Sequence, residues 1–409
     1  MQSRGLVRVA YRTHARLAGT WAAAALVSSF GLAYFLRISP PTRQRAAILA
    51  VAKHANARRQ IDRICRWIGD EHCARIGTRL RVRGALSGIA SLVSPRVYGG
   101  LFRAFRIIRV LERRHGFLVS CRGAAAIAWY ARTKTILSDV RPGAVLVSSD
   151  SNPEEVGVTA AAAALAVPHI FVSHAYPTPF SPPLNFSLSI LEGEAAVRAR
   201  RRRGPITGEI VLAGVEGDSA PLDVRRLERQ EPVIGIFTPK AIAWPTLAAV
   251  IDDCREVFHA RRIVIRWHPS RLDQVRRLHS MSNRSGIEES RMSLTLPDVA
   301  HRCDWVIADE NSNVHLPVLK LGIPTVVVKG LGLYPESRSD MYGFAAAGIV
   351  FPSVRSIRDV QIPAFKAFFD EAWADRFRQY DASYLRPQAE VGAEVREAVW
   401  RVLDLKERP

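Results

Sequence analysis

Short apolar runs rich in β-branched residues, separated by helical stretches, recur from residue 117 to about residue 352, and a polar stretch at 215–232 divides them into two sets. That alternation predicts an α/β protein built of two doubly wound, Rossmann-like domains facing a cleft, preceded by a basic helical N-terminal segment. Length agrees, since 409 residues exceed what one hydrophobic core commonly encloses. The expected divisions are a basic helical segment at 1–115, a first domain at 116–230, a second at 231–375 and closing helices at 376–409.

The first segment holds most of the charge. Residues 1–114 carry 22 Lys and Arg against Asp62, Asp70, Glu71 and Glu112, a balance of +18 out of +20 for the whole chain. So local an excess has its own role, and a membrane surface or a nucleic acid would each answer it. In "LFRAFRIIRVLERR" (101–114) the arginines alternate with apolar residues at helical spacing, a pattern that suits anionic lipid head groups and disfavours nucleic acid. "LAGTWAAAALVSSFGLAYFL" (17–36) has no charge and the length of a membrane span. Its many small residues equally fit a surface helix or an Ala-rich core helix, and the basic residues on both flanks give no orientation.

In the first domain the expected strands are "FLVS" (117–120), "AVLVSS" (144–149), "HIFVS" (169–173), "FSLSIL" (186–191) and "EIVLAG" (209–214). Helices are expected through "GAAAIAWYARTKTIL", "PEEVGVTAAAAALA" and "EAAVRARRRR". In the second domain "VIGIFTP" (233–239), "RIVIRW" (262–267), "MSLTLP" (292–297), "DWVIAD" (304–309), "PTVVVKG" (324–330) and "GIVFP" (348–352) read as strands. Helices are expected at 244–259, near 271–280 and across "NVHLPVLKLG".

Ligands of doubly wound sheets bind beyond the carboxyl ends of the strands, so chemistry is sought there. After the first strand of the second domain come Thr238, a hydroxyl, and Lys240, a cation suited to an anion. After the next come His268 and Pro269. After "DWVIAD" come Glu310, Asn311, Ser312 and Asn313, leading into a helix whose free N–H groups would suit a phosphate. Each has a plainer reading, as cap, strand stop or solvated charge; their joint occurrence at strand ends of one sheet is what points to a ligand. In the first domain Asp150 and His174 follow strands, and either could serve as a general base. Asn152, Pro153, Glu154 and Glu155 read as a helix start with Asn152 as cap. The five cysteines form no pair or cluster, which fits a reducing compartment, and no metal site or nucleotide-loop motif occurs.

"HP" after the second strand of the second domain, followed some forty residues later by a strand, a Ser-bearing helix start and "LGIPTVVV" (321–328), resembles inverting bacterial glycosyltransferases of the GT-B fold. It is most similar to the cytidine-nucleotide users: sialyl- and polysialyltransferases, capsule transferases and CDP-glycerol glycerophosphotransferases. The resemblance covers roughly residues 143–350. It implies that the second domain holds a nucleotide-activated donor, with His268 on its phosphate, Ser312 on phosphate at a helix start and Glu310 near the ribose. "VSHAYP" (172–177) resembles the His-Gly turn of the glycerophosphotransferases, with Ala175 where they have Gly, and implies His174 as the base. Metal-independent chemistry with no resident cofactor is expected, since no DxD motif is present.

The expectation is transfer of a sugar from a nucleotide donor, CMP- or CDP-linked among the options, to a hydroxyl of a surface polysaccharide or lipid-linked glycan. The setting expected is the cytoplasmic face of a membrane, with the basic segment on the lipid as a peripheral helix or a single span. Transfer of glycerol phosphate from CDP-glycerol, 2-epimerisation of a sugar nucleotide, and a non-catalytic scaffold or nucleic-acid binder are the alternatives.

Overall fold

The computed structural model describes residues 2–41, 46–52, 54–77, 89, 95–269, 286–291, 293–333, 339–354 and 356–404. Within them lie two six-stranded sheets, parallel throughout. The first contains β1 (Ile48–Val51), β2 (Cys73–Arg75), β3 (Ala144–Val147), β4 (His169–Val172), β5 (Asn185–Leu191) and β6 (Thr207–Leu212), in the order β2-β1-β3-β4-β5-β6. The second contains β7 (Val233–Phe237), β8 (Arg262–Arg266), β9 (Ile287–Glu289), β10 (Trp305–Asp309), β11 (Thr325–Val328) and β12 (Phe351–Val354), in the order β12-β11-β10-β7-β8-β9.

Helices cover both faces, and this is why the central strands read as unbroken apolar runs. β3, β7, β10 and β11 are buried at every position. The polar stretch 215–232 joins the last strand of the first sheet to the first strand of the second, with one short 3-10 turn at Val224–Glu228. Of the closing helices, the last (Gln388–Asp404) returns to the first sheet, where Val391, Val395, Ala398, Val399 and Val402 pack in one cluster with Ile48, Ile61 and Ile190.

The N-terminal segment departs from expectation. Residues 1–115 supply β1 and β2, so the first sheet begins near residue 48, and "FLVS" lies inside a helix. That helix, Pro95–Val140, bends at Gly116 (φ 72°), a conformation that glycine adopts without strain. The bend separates two apolar patterns and makes 117–120 look like the start of a strand. α1 (Gln2–Leu17) and α2 (Trp21–Arg37) precede β1. Thr20 caps α2, its Oγ1 accepting from Ala23 N at 3.2 Å, and Ala23, Ala24, Val27, Gly31 and Phe35 are buried. A Cβ on Gly31 would lie 3.1 Å from the Ala124 carbonyl oxygen, so the small residues of 17–36 serve close helix packing. Among the described residues no helix is long and apolar enough to cross a membrane.

Two further departures lie in the second domain. Residues 293–297 of "MSLTLP" are not a strand: Thr295 caps the short helix Leu296–Ala300, and the edge strand is Ile287–Glu289. The helix expected near 271–280 lies outside the described residues.

Candidate active site

The first half of the site gathers at the carboxyl ends of β1, β3 and β4. His174 is half-buried, and its Nδ1 sits against the carbonyl oxygen of Ser148. A carbonyl can only accept, so Nδ1 carries the hydrogen and Nε2 keeps its lone pair. Burial, above all, holds the imidazole below its ordinary pKa; Asp150 opposes this, while His54 and Arg200 add to it. His54 sits at the N-cap position of the helix Ala55–Ile68, just beyond β1. Asp150 is paired with Arg200, a buried arginine on the helix Glu194–Arg201 that also donates to Pro182 O at 2.9 Å. The pairing occupies the Asp150 carboxylate with Arg200 and sets it close enough to act on His174.

The turn between β3 and the next helix (Pro153–Ala164) is held by Ser149, whose Oγ accepts from Ser151 N at 3.3 Å and Asn152 N at 3.2 Å. Asn152 stands at the N-cap position but makes no side-chain cap bond, so the expected cap bond is not made and Ser149 holds only the turn before the helix. Tyr176 is buried and stacks on Tyr380 at 5.1 Å, with Tyr342 and Phe344 at its edges. It is a packing residue between the domains.

The second half lies at the ends of β7, β8 and β10. Thr238 is not a free hydroxyl: its Oγ1 donates to Arg266 O at 3.3 Å and accepts from His268 N at 3.2 Å. Its effect is to fix the backbone that presents His268, which is half-buried, and Pro269, which is exposed. Lys240 is exposed. Arg266, the last residue of β8, has its pKa lowered by burial and then by Arg59, which lies on the helix after β1. An arginine at the end of β8 and one in the helix after β1 thus act on each other, an arrangement that a bound anion would relieve.

The loop after β10 is a turn, and the helix expected across 313–322 begins at His315 and ends at Lys320. The phosphate cradle expected at a helix start is therefore not formed at Ser312, whose N–H donates to Asp309 O at 3.0 Å and whose Oγ accepts from Val314 N at 3.4 Å. Asp309 is structural as well, its carboxylate accepting from Asn311 N at 3.0 Å and Gly332 N at 2.7 Å. Glu310 accepts from Ser339 Oγ at 2.7 Å. Asn311 is buried; its Oδ1 accepts from Met341 N at 3.0 Å, while its Nδ2 and the Oδ1 of Asn313 are buried without a hydrogen-bond partner among the described residues. Buried polar atoms are rarely left so unless a ligand or water completes them.

The segment 339–344 links the two halves. It bonds Glu310 through Ser339 and Asn311 through Met341, and it touches the His174 loop through Tyr342 and Phe344 against Tyr176. Sequence reasoning missed this segment, and with it His54, Arg59 and Arg200. The only signals for them were a histidine two residues after a short apolar run and an arginine run on a helix.

Two parallel, doubly wound domains whose strand-end loops meet in this way define a GT-B protein. No protein-family model and no curated protein matches the chain. Among solved structures it is similar to MnaA of S. aureus in its UDP co-structure, at a TM-score of 0.51 and 11% identity over 85% of this chain and 94% of that one. It is similar to the same degree, 0.51, to a Listeria monocytogenes protein assigned as a UDP-N-acetylglucosamine 2-epimerase, at 9% identity over 89% of this chain and 97% of the other.

Proposed function

We propose that the protein is an inverting glycosyltransferase that moves a sugar from a nucleotide-activated donor to a hydroxyl acceptor, with His174 as general base. The observation that carries this reading is the contact of His174 Nδ1 with the carbonyl oxygen of Ser148. Ser148 O fixes hydrogen on Nδ1, and burial favours the neutral ring, so Nε2 is a proton acceptor at neutral pH. An acceptor hydroxyl gives its proton to Nε2 while its oxygen attacks the anomeric carbon of the donor and the nucleotide leaves. Asp150, oriented by Arg200, stabilises the imidazolium that forms. Across the cleft Arg266 and His268 would meet the charge growing on the departing phosphate, and the unpartnered amide atoms of Asn311 and Asn313 would complete their bonds on the nucleotide. No resident metal or cofactor enters this scheme. The acceptor class proposed is a surface polysaccharide or lipid-linked glycan.

A second reading is 2-epimerisation of a sugar nucleotide, favoured by the likeness to the Listeria protein. A donor panel separates the two. UDP-, CMP-, CDP- and GDP-linked sugars and CDP-glycerol are titrated against the protein by calorimetry, and the donor that binds is then incubated alone and with acceptor glycans. Conversion of the donor to its epimer without acceptor favours the second reading, and release of free nucleotide only with acceptor favours the first. In the transferase, His174→Gln should lower kcat by about a hundredfold or more while donor binding is retained. Because the imidazole acts in its neutral form and its pKa is depressed, the acidic limb of the kcat/KM profile should have its midpoint below the ordinary histidine value. Full activity in His174→Gln, or an unshifted acidic limb, would sink the base assignment.

A further inference from the structure

Part of the charge excess of residues 1–114 sits on a face that water alone does not explain. On the half of the helix Pro95–Val140 that precedes Gly116, Phe102, Ile107 and Val110 are 64%, 52% and 50% exposed, and they lie among the exposed arginines 103, 106, 113 and 114. At 3.6 residues per turn these positions share one side, opposite the buried Ile108 and Glu112. Glu112, the only carboxylate between residues 95 and 114, is turned inward: its Oε1 accepts from Gly19 N at 2.9 Å and lies 3.1 Å from His14 Nε2. The outward side therefore carries arginines and large apolar side chains, with no acid between them. Trp21, at the start of α2, is 56% exposed, lies stacked at 5.5 Å from Phe105 and has the Arg109 guanidinium 3.4 Å from its ring. Arg106 lies over Phe102 at 4.7 Å.

Duplex or single-stranded nucleic acid would answer the arginines but not Ile107 and Val110. A second copy of the chain would cover the apolar groups but bring two strongly positive segments together. An anionic bilayer satisfies both components, with apolar side chains entering the boundary between head groups and acyl chains and arginines on the phosphates. Beyond Gly116 the same helix bears Arg122, which donates to Ser151 O at 2.7 Å, in the loop that carries Asp150. The basic face is thereby joined to the acceptor side of the cleft.

We propose that the outward face of this helix, with the start of α2, docks on an anionic lipid bilayer. The docking stands independently of the transfer reaction and is tested without nucleotide. The full chain is sedimented with vesicles of phosphatidylcholine alone and with phosphatidylglycerol added. Binding is expected to be at least about tenfold tighter to the anionic vesicles. Arg103→Gln/Arg106→Gln/Arg113→Gln should remove that preference. Phe102→Ser/Ile107→Ser/Val110→Ser, which keeps every charge, should also weaken binding by about tenfold or more, with circular dichroism and thermal midpoint unchanged in both. The proposal is overturned if the unaltered chain ignores the anionic vesicles, or if the apolar triple variant binds them as tightly as the original. It is also overturned if a short DNA duplex binds as tightly with the apolar triple indifferent, or if light scattering finds a dimer that this triple dissociates.

Discussion

Asp309 and His315 lie six residues apart at the end of β10 and titrate in opposite directions. Burial pushes the Asp309 carboxyl up to about 6 and the His315 imidazole down to about 4. His315 bridges β10 to β11, with Nε2 on Asp309 O and Nδ1 on Thr325 Oγ1, each at 3.1 Å. The carbonyl accepts, so hydrogen is on Nε2 and the threonine hydroxyl donates to Nδ1. Between about pH 4 and pH 6 the native state holds one proton more than the unfolded chain at Asp309 and one fewer at His315, so the two stability slopes cancel. Asp309→Asn leaves His315 alone: stability should be full above about pH 6.5 and fall by about 3 kcal/mol as pH drops to about 4. His315→Gln leaves Asp309 alone, and stability should be greatest near pH 4 and fall as pH rises through about 6. Urea midpoints across this range in the three chains check the signs. Equal slopes in all three would show that neither group is displaced.

At the scale of elements, close packing is concentrated where the helix Pro153–Ala164 crosses the helix Pro95–Val140. A Cβ on Gly157 would lie 2.5 Å from Ala126 O, 2.6 Å from Trp129 Cβ and 2.8 Å from Tyr130 N, which are backbone or rigid atoms. Gly157→Ala must push the helices apart, although the helical backbone itself tolerates alanine. A loss of about 2 kcal/mol is expected from overpacking, measured as a lower urea midpoint at unchanged m-value. A gain in stability would mean that the two helices do not meet so closely. β7, β10 and β11 were legible because strands covered on both faces are apolar throughout and lie between turn residues. β1, "ILAV", and β2, "CAR", were hidden because runs of four and three residues in an Ala- and Arg-rich setting carry no strand period. In the site, His174, His268 and Asn311 were legible as strand-end residues. The Asp150–Arg200 pair, 50 residues apart, and the bonds from 339–341 to 310–311 were not, because they depend on how distant segments close in space.

Across the whole molecule, the passage of the chain from one domain to the other is clamped by buried charge. Arg63 donates to Ala213 O at 2.8 Å and Gly214 O at 3.1 Å from the first domain. Lys320, at the end of His315–Lys320, donates to Val215 O at 2.5 Å and Ser383 Oγ at 2.6 Å and lies 3.2 Å from Asp381 Oδ2. Asp381 Oδ1 accepts from Val215 N and from Ser383 N, each at 3.0 Å. Burial lowers the Lys320 pKa and Asp381 raises it, so the ammonium and the carboxylate depend on each other. Lys320→Met should cost about 3 kcal/mol, because it removes the cation in contact with the buried Asp381 carboxylate and leaves only the more distant Arg63 to oppose that charge. Lys320→Met/Asp381→Asn should recover part of that loss, since the asparagine oxygen still accepts from the amide of Val215 while the buried charge is gone. Urea unfolding followed by both circular dichroism and tryptophan fluorescence adds a second readout. If the clamp couples the domains, the two signals should coincide in the original chain and separate in Lys320→Met. A double variant no more stable than Lys320→Met would mean that the bond to Val215 O, and not the ion pair, is what Lys320 contributes.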